Sequence, residues 1–165
     1  VKRFQPVTGV GLRDISEADL PFLWEQQQDE VANHMAAFTV EDPSDRAAFD
    51  HRWSRIFADT TLIKRIIVFD GKVVGSIFCH RWFGEPEVSY GIDRPQWGRG
   101  IATEALRRFL EQIDDRPLYA RVAADNLGSI RVLEKCGFQL TGYERAFANA
   151  RGEEIDEGVF ILNGA

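Results

Sequence analysis

The chain has 165 residues, of which 44% are hydrophobic and 28% charged, with a formal net charge of −6. That length and mix fit a single globular domain over 1–165 with a substantial core. The negative balance speaks against non-specific nucleic-acid binding, and no apolar run reaches the ~20 residues that cross a bilayer.

Residues 7–15 read as a first strand. Ser16 then caps a helix, with Asp19 three residues on in an imperfect capping box and Leu20, Leu23 and Trp24 as its apolar stripe. Residues 32–39 read as irregular and aromatic-bearing. Asp42-Pro43 or Ser44 opens a second helix whose stripe is Ala47/Ala48, Phe49, Trp53, Ile56 and Phe57. Residues 62–69 are strand-like, Asp70-Gly71 is a hairpin turn, and 73–82 return; a third strand follows over 87–92.

From Ile101 the period changes to helical, with Ile101, Ala105, Leu106, Phe109, Leu110 and Ile113 on one side and Pro117 beyond the end. The strand at 118–123 follows a helical crossover, so it lies parallel to an earlier strand. A short helix over 128–136 carries Ile130, Leu133 and Cys136 on one side and ends at Gly137. Residues 138–147 and 153–162 form a last hairpin about Arg151-Gly152. The sum is a mixed α/β (α+β) fold: a central sheet of about six to seven strands and about four helices.

Cys79 and Cys136 stand in apolar segments and read as buried reduced thiols, which fits a cytoplasmic protein. His34, His51 and His80 are scattered, so no metal spacing is present. The first residues, Val1-Lys2-Arg3-Phe4, lack a Met and any signal-peptide apolar core, which suggests a processed or trimmed start.

The most informative stretch is Gln96-Trp97-Gly98-Arg99-Gly100-Ile101-Ala102-Thr103-Glu104. Glycines next to a helix start let backbone N–H groups approach an anion, aided by the helix dipole. A bare strand-to-helix turn is the plain alternative. The dinucleotide fingerprint fails because Thr103 stands where its third glycine belongs, and the Lys-Ser/Thr pair of a P-loop is missing. Arg94, Arg99, Arg107 and Arg108 gather around this motif, while the acidic remainder favours a cationic second substrate.

A second block, Asp125-Asn126-Leu127-Gly128-Ser129 through Glu134-Lys135-Cys136-Gly137-Phe138, resembles the Asn-x-x-Ser…Glu-Lys-x-Gly-Phe block of the GNAT acyl-CoA N-acetyltransferase superfamily. The first motif resembles that superfamily's Gln/Arg-x-x-Gly-x-Gly/Ala loop, with Trp97 in place of the usual Gln or Arg. Trp-Gly-x-Gly-x-Ala-Thr-Glu-Ala is similar to the branch of ribosomal-protein N-terminal acetyltransferases (Rim type). The resemblance is sharp over about 87–138 and weaker outside it.

It implies a GNAT fold, acetyl-CoA as co-substrate, and direct transfer of an acetyl group to a primary amine: a peptide N-terminus or a small molecule. The backbone of Gly98, Arg99, Gly100, Ile101 and Ala102, with Thr103 at the helix start, would hold the pyrophosphate. Arg99 would add a phosphate contact or else remain a solvated loop residue. Ile92 and Arg94 would pair with pantetheine, and Arg94, preceding Pro95, is biased towards extended backbone. Trp97 belongs to the same cofactor loop. Asn126 would contact the pantetheine arm, cap the following helix, or both. Ser129 would lie near the thioester sulfur as a proton donor, or be a surface serine. Many relatives place a Tyr where Leu133 stands, so the acid is Ser129, a water or nothing.

For the base, Glu87 begins the central strand in register with acidic positions of relatives; an exposed strand-end carboxylate is its plain alternative, and Glu85 and His80 are other candidates. Tyr90 falls on the opposite strand face from Glu87, and only a bulge, for instance at Gly91, would bring the two together. A peptide α-amine ionises about 2.5 units below a lysine, worth ~3.4 kcal/mol of deprotonation, so an α-amine is the easier acceptor. Asn33, His34, Met35, Phe38, Trp82 and Phe83 are expected around the acceptor, and Trp24 and Trp53 in the core. A homodimer stays open. The rival readings are a non-catalytic acyl-CoA-binding sensor or interaction module, and a nucleotide-binding α/β enzyme.

Overall fold

A computed structural model describes residues 6–164. Seven strands form one sheet in the order β1-β2-β3-β4-β5-β7-β6: β1 (Val10–Asp14), β2 (Ile63–Phe69), β3 (Lys72–His80), β4 (Glu87–Ile92), β5 (Leu118–Ala123), β6 (Gln139–Ala148) and β7 (Glu153–Leu162). All neighbours are antiparallel except β4 and β5, which are parallel as the crossover requires.

Strand alternation divides the side chains between two faces. On the first, Val88 and Ile92 of β4 and Leu118, Ala120 and Val122 of β5 join Ile101, Ala105, Leu106 and Phe109 of α4 (Ile101–Leu110) and Leu133 of α5 (Leu127–Lys135) in the main core. The stripe predicted for α4 is the stripe it buries: Ala105, Leu106 and Phe109 are wholly inaccessible. On the second face, α1 (Leu20–Gln27) and α3 (Arg46–Ala58) bring Leu23, Phe49, Trp53 and Ile56 against Ile66 and Phe78. Trp53 is core, as expected, and Trp24 is half-buried at its margin, edge-on to Phe49.

Four expectations need correction. Residues 32–39 are not irregular throughout, because α2 (Glu30–Ala36) occupies most of them. Asp29 caps it, accepting from the N–H groups of Val31 and Ala32, and none of its residues is buried, so no apolar stripe announces it. The second predicted helix begins later than Asp42-Pro43 or Ser44: Asp42 folds an Asx turn onto Ser44, and Asp45 caps α3. Ala47 and Ala48 are exposed rather than part of the stripe. The first strand is also shorter than residues 7–15. Ser16 and Asp19 do close a capping box, which Arg13 reinforces with a bidentate grip on the buried Asp19.

Candidate active site

The glycine motif lies where predicted, between β4 and α4. Gly98 and Gly100 have φ of +75° and +78°, and Gly100 is the N-cap of α4. A side chain at such φ values is strained, which explains both glycines. The first N–H bonded back along the helix is that of Glu104, to Gly100 O at 3.1 Å. The N–H groups of Ile101, Ala102 and Thr103 therefore precede the helical ladder and carry the dipole's positive end. Nothing lies within 4 Å of where a Cβ on Gly98 would stand.

The surrounding cations are largely engaged. Arg107 and Arg108 hold the wholly buried Glu104, and Arg94 binds Asp29 at 2.8 Å, the carboxylate that caps α2. Arg99 instead donates to Gln96 Oε1 and stacks its guanidinium 4.8 Å from the centre of the Phe69 ring. Its partners are neutral, so its charge remains available to an anion. The Trp97 indole donates to Ile92 O at 2.8 Å, so a ligand pairing with that carbonyl shares it with the indole or displaces it. The side chain of Thr103 is buried, which leaves its N–H as the group it can offer.

Beside this loop the sheet comes apart. The parallel pair β4/β5 is in register at one position alone, Glu87 with Tyr119. Beyond it, residues 89–92 and 120–123 face each other without ladder pairing, and the break opens towards the C-terminal ends of both strands. Parallel sheets place ligands at such ends.

On the first face, α5 starts next to this break. Asn126 caps it, with Oδ1 accepting from Ser129 N at 3.2 Å. Ser129 is half-buried, and its Oγ lies 2.9 Å from the Tyr90 hydroxyl, which also reaches Ser129 O at 3.2 Å. Burial raises the ionisation of Tyr90 far above its ordinary value, so it stays a phenol. Leu133 is core. The register of β4 with β3 runs without a bulge, so Tyr90 and Glu87 do lie on opposite faces.

On the second face, Glu87 is not an exposed strand-end carboxylate: it is 7% exposed. Its Oε1 accepts from Arg121 Nε at 2.9 Å, and Oε2 lies 3.4 Å from His80 Nε2. Burial raises the Glu87 carboxyl above its ordinary value, against the pull of Arg121. Burial also depresses His80 to about 4, so the contact is that of a neutral imidazole. Trp82 stacks on His80 with ring centres 4.0 Å apart, and Phe83 stands edge-on to it. Arg121 also binds Glu144 at 2.6 Å and lies 3.9 Å from the buried Glu157. Three carboxylates thus share one guanidinium. Sequence reasoning missed Arg121; the pairing of Glu87 with Tyr119 puts residues 119 and 121 on the face of Glu87.

Among the expected acceptor residues, Asn33 and Phe38 line a cavity of about 400 Å³ on this second face. Phe38 follows a γ-turn at Ala37 (φ +66°, ψ −55°), a strained conformation that the Ala150 N–H···Ala37 O bond helps hold. Trp82 and Phe83 are exposed above His80. His34 and Met35 are exposed on α2, and His34 offers its carbonyl to Arg151, the residue that also clamps Asp125.

This architecture is that of the GNAT fold. The spermidine N-acetyltransferase of Vibrio cholerae, solved with CoA and spermine, superposes with a TM-score of 0.80 at 17% identity, over 95% of this chain and 96% of that one. RimL, the ribosomal L7/L12 α-N-protein acetyltransferase, solved with CoA, gives 0.78 at 17% identity, over 96% of each chain. Residues 10–139 match the family described as "Acetyltransferase (GNAT) domain", and the chain belongs to that family. The L-amino acid N-acetyltransferase AaaT of Escherichia coli K12 is 31% identical over 118 residues, 65% of this chain and 72% of that protein. The uncharacterised N-acetyltransferase p20 of Bacillus licheniformis is 31% identical over 83 residues, 48% of this chain; the match spans about half of that relative's length, 47%.

Proposed function

We propose that this chain is an acetyl-CoA-dependent N-acetyltransferase acting on a primary amine by direct transfer, with α-amines favoured over lysine side chains. One observation carries the reading: the β4/β5 break has free main-chain donors and a Tyr–Ser hydroxyl pair on one face and a buried carboxylate on the other. Relatives named for L-amino acids, spermidine and a ribosomal protein α-amine all modify amines, which supports the same class.

The residues present fit coenzyme A. The open space at Gly98 and the unladdered N–H groups of Ile101, Ala102 and Thr103 suit a pyrophosphate, with Arg99, bonded to neutral Gln96, as the nearby cation. Ile92, Arg94, Trp97 and Asn126 border the path from there to the break. Bound there, acetyl-CoA supplies an acetyl group activated as a thioester.

The protein's part is to place protons. Glu87 takes one from the incoming ammonium, through a water where the amine does not reach it, and the surplus of carboxylates around Arg121 draws that cation in. The Tyr90 and Ser129 hydroxyls share one hydrogen bond, and this pair passes a proton to the leaving thiolate; the second proton lost by the amine nitrogen as the adduct collapses restores the pair to neutral. A thiolate ionises near ~8.5, so modest help suffices.

Calorimetric titration with CoA, ATP and NAD tests the ligand: only CoA should bind. Thiol release from acetyl-CoA with α-amine peptides, ε-amine peptides, amino acids and polyamines tests the reaction. CoA binding without thiol release from any amine would instead mark an acyl-CoA-binding sensor.

A further inference from the structure

Arg52 is the residue whose surroundings the transfer chemistry leaves unexplained. It projects from α3 half-buried, donates from Nη2 to Gln27 Oε1 at 2.6 Å, and lies 6.0 Å from the Phe49 ring. Both partners are neutral, and burial alone displaces its ionisation, downward. Arg13, Arg94, Arg121 and Arg151, by contrast, each face a carboxylate at 2.6–2.9 Å. A guanidinium has five N–H donors, and one taken by an amide leaves both its charge and its fork geometry unspent.

That guanidinium lines the 400 Å³ cavity together with Gln27, Asn33, Phe38, Thr39 and Val40. The cavity's neighbours touch both sides of the break in the sheet. Gln26, beside Gln27, places Nε2 3.8 Å from where a Gly91 Cβ would stand on β4. Phe38 packs against the cluster of Ala37, Ala123 and Ala148, of which Ala123 ends β5. The cavity therefore covers the second face of the break, the face that also holds Glu87, Glu144 and Glu157. This face is bipolar, with carboxylates at one end and, at the other, a guanidinium that meets no carboxylate among the described residues.

The geometry points to Arg52 as an anion receptor in the acceptor site, taking a carboxylate carried by the amine substrate. The acceptor is then a carboxylate-bearing primary amine and not a polyamine. This rests on the acetyl-transfer reading above, which assigns the second face to the acceptor. The carboxylate can belong to a free amino acid or to an acidic side chain in a peptide, and the test separates the two.

The probes are acetylated products, which bind without turnover: N-acetylalanine against N-acetylalaninamide, and N-acetyl-Ala-Asp-amide against N-acetyl-Ala-Asn-amide. Each is titrated calorimetrically into the CoA complex of the wild type, Arg52→Gln and Arg52→Lys. One carboxylate probe should bind the wild type about tenfold or more tightly than its amide. That preference should vanish in Arg52→Gln and return in part in Arg52→Lys; the probe showing it names the source. Equal affinity for acid and amide in the wild type, a comparison free of any folding defect, overturns the inference. So does a variant that weakens acid and amide alike, as a merely structural Arg52–Gln27 tie would. Thiol release is read separately. Carboxylate preference without turnover leaves the receptor standing and fells the transferase reading; turnover without carboxylate preference does the reverse.

Discussion

The Tyr90 hydroxyl and Ser129 Oγ meet at 2.9 Å across the gap between a strand and the start of a helix 39 positions later. The pairing supplies a phenol on the first face, where Leu133, a core residue, supplies none. Tyr90→Phe should lower kcat about tenfold with KM for acetyl-CoA little changed, and Ser129→Ala should lower it by at least as much. The double variant should be no worse than the poorer single one, because the two hydroxyls act in series. Additive losses in steady-state assays would show that they act independently.

Glu87 should govern the acid side of the pH–rate profile. Burial holds its carboxyl above the ordinary range, so the base is lost as pH falls through that raised value. Glu87→Gln should lower kcat by about 100-fold and abolish the acid limb. Arg121 pulls the Glu87 value down, so Arg121→Gln should move the limb to higher pH. A limb that stays in place in Arg121→Gln would assign it to another group.

Much of the fold could be read from the sequence because its elements report their burial: the 3.6 period of α4 marks a helix with one face on the core, and the continuous apolar runs of β2 and β3 mark strands packed on both faces. Helix α2 escaped because it buries nothing and depends on Asp29, which Arg94 holds from 65 residues away. The main-chain part of the site was equally readable, since the glycines mark it directly. Tyr90 was assigned to the correct face, but alternation gives no partner, and only the docking of α5 supplies Ser129. Arg52 flanks the apolar stripe of α3, three residues after Phe49 and four before Ile56, and has no sequence signature; its interest comes from having no carboxylate partner among the described residues.

Stability should fall on acidification through His80. In the folded chain it takes a proton only near about 4, against an ordinary 6.5, so between those values the unfolded chain binds more protons and is favoured as pH drops. The loss is at most ~3.4 kcal/mol across that window. Glu87, raised by burial, binds its proton more readily in the folded state and partly offsets the loss. In urea melts between pH 7 and pH 4.5, His80→Gln should show a shallower decline than the wild type. Parallel declines would show that His80 is not the group responsible.

The two loop glycines should separate folding from ligand binding. Both have positive φ, so an alanine at either costs about 1–2 kcal/mol in backbone strain. At Gly100 a Cβ would also stand 2.9 Å from Val7 Cγ2, so even Gly100→Ala should lower Tm, and Gly100→Val further still. At Gly98 the Cβ would enter open space, the space a phosphate would occupy if the loop binds coenzyme A. Gly98→Ala should therefore cost a few degrees of Tm, at roughly 2–4 °C per kcal/mol, while weakening CoA out of proportion to that loss. Gly100→Ala should show the larger Tm drop with a smaller effect on Kd once folded. Unchanged CoA affinity in Gly98→Ala would remove the main-chain cradle from the reading, whatever its Tm.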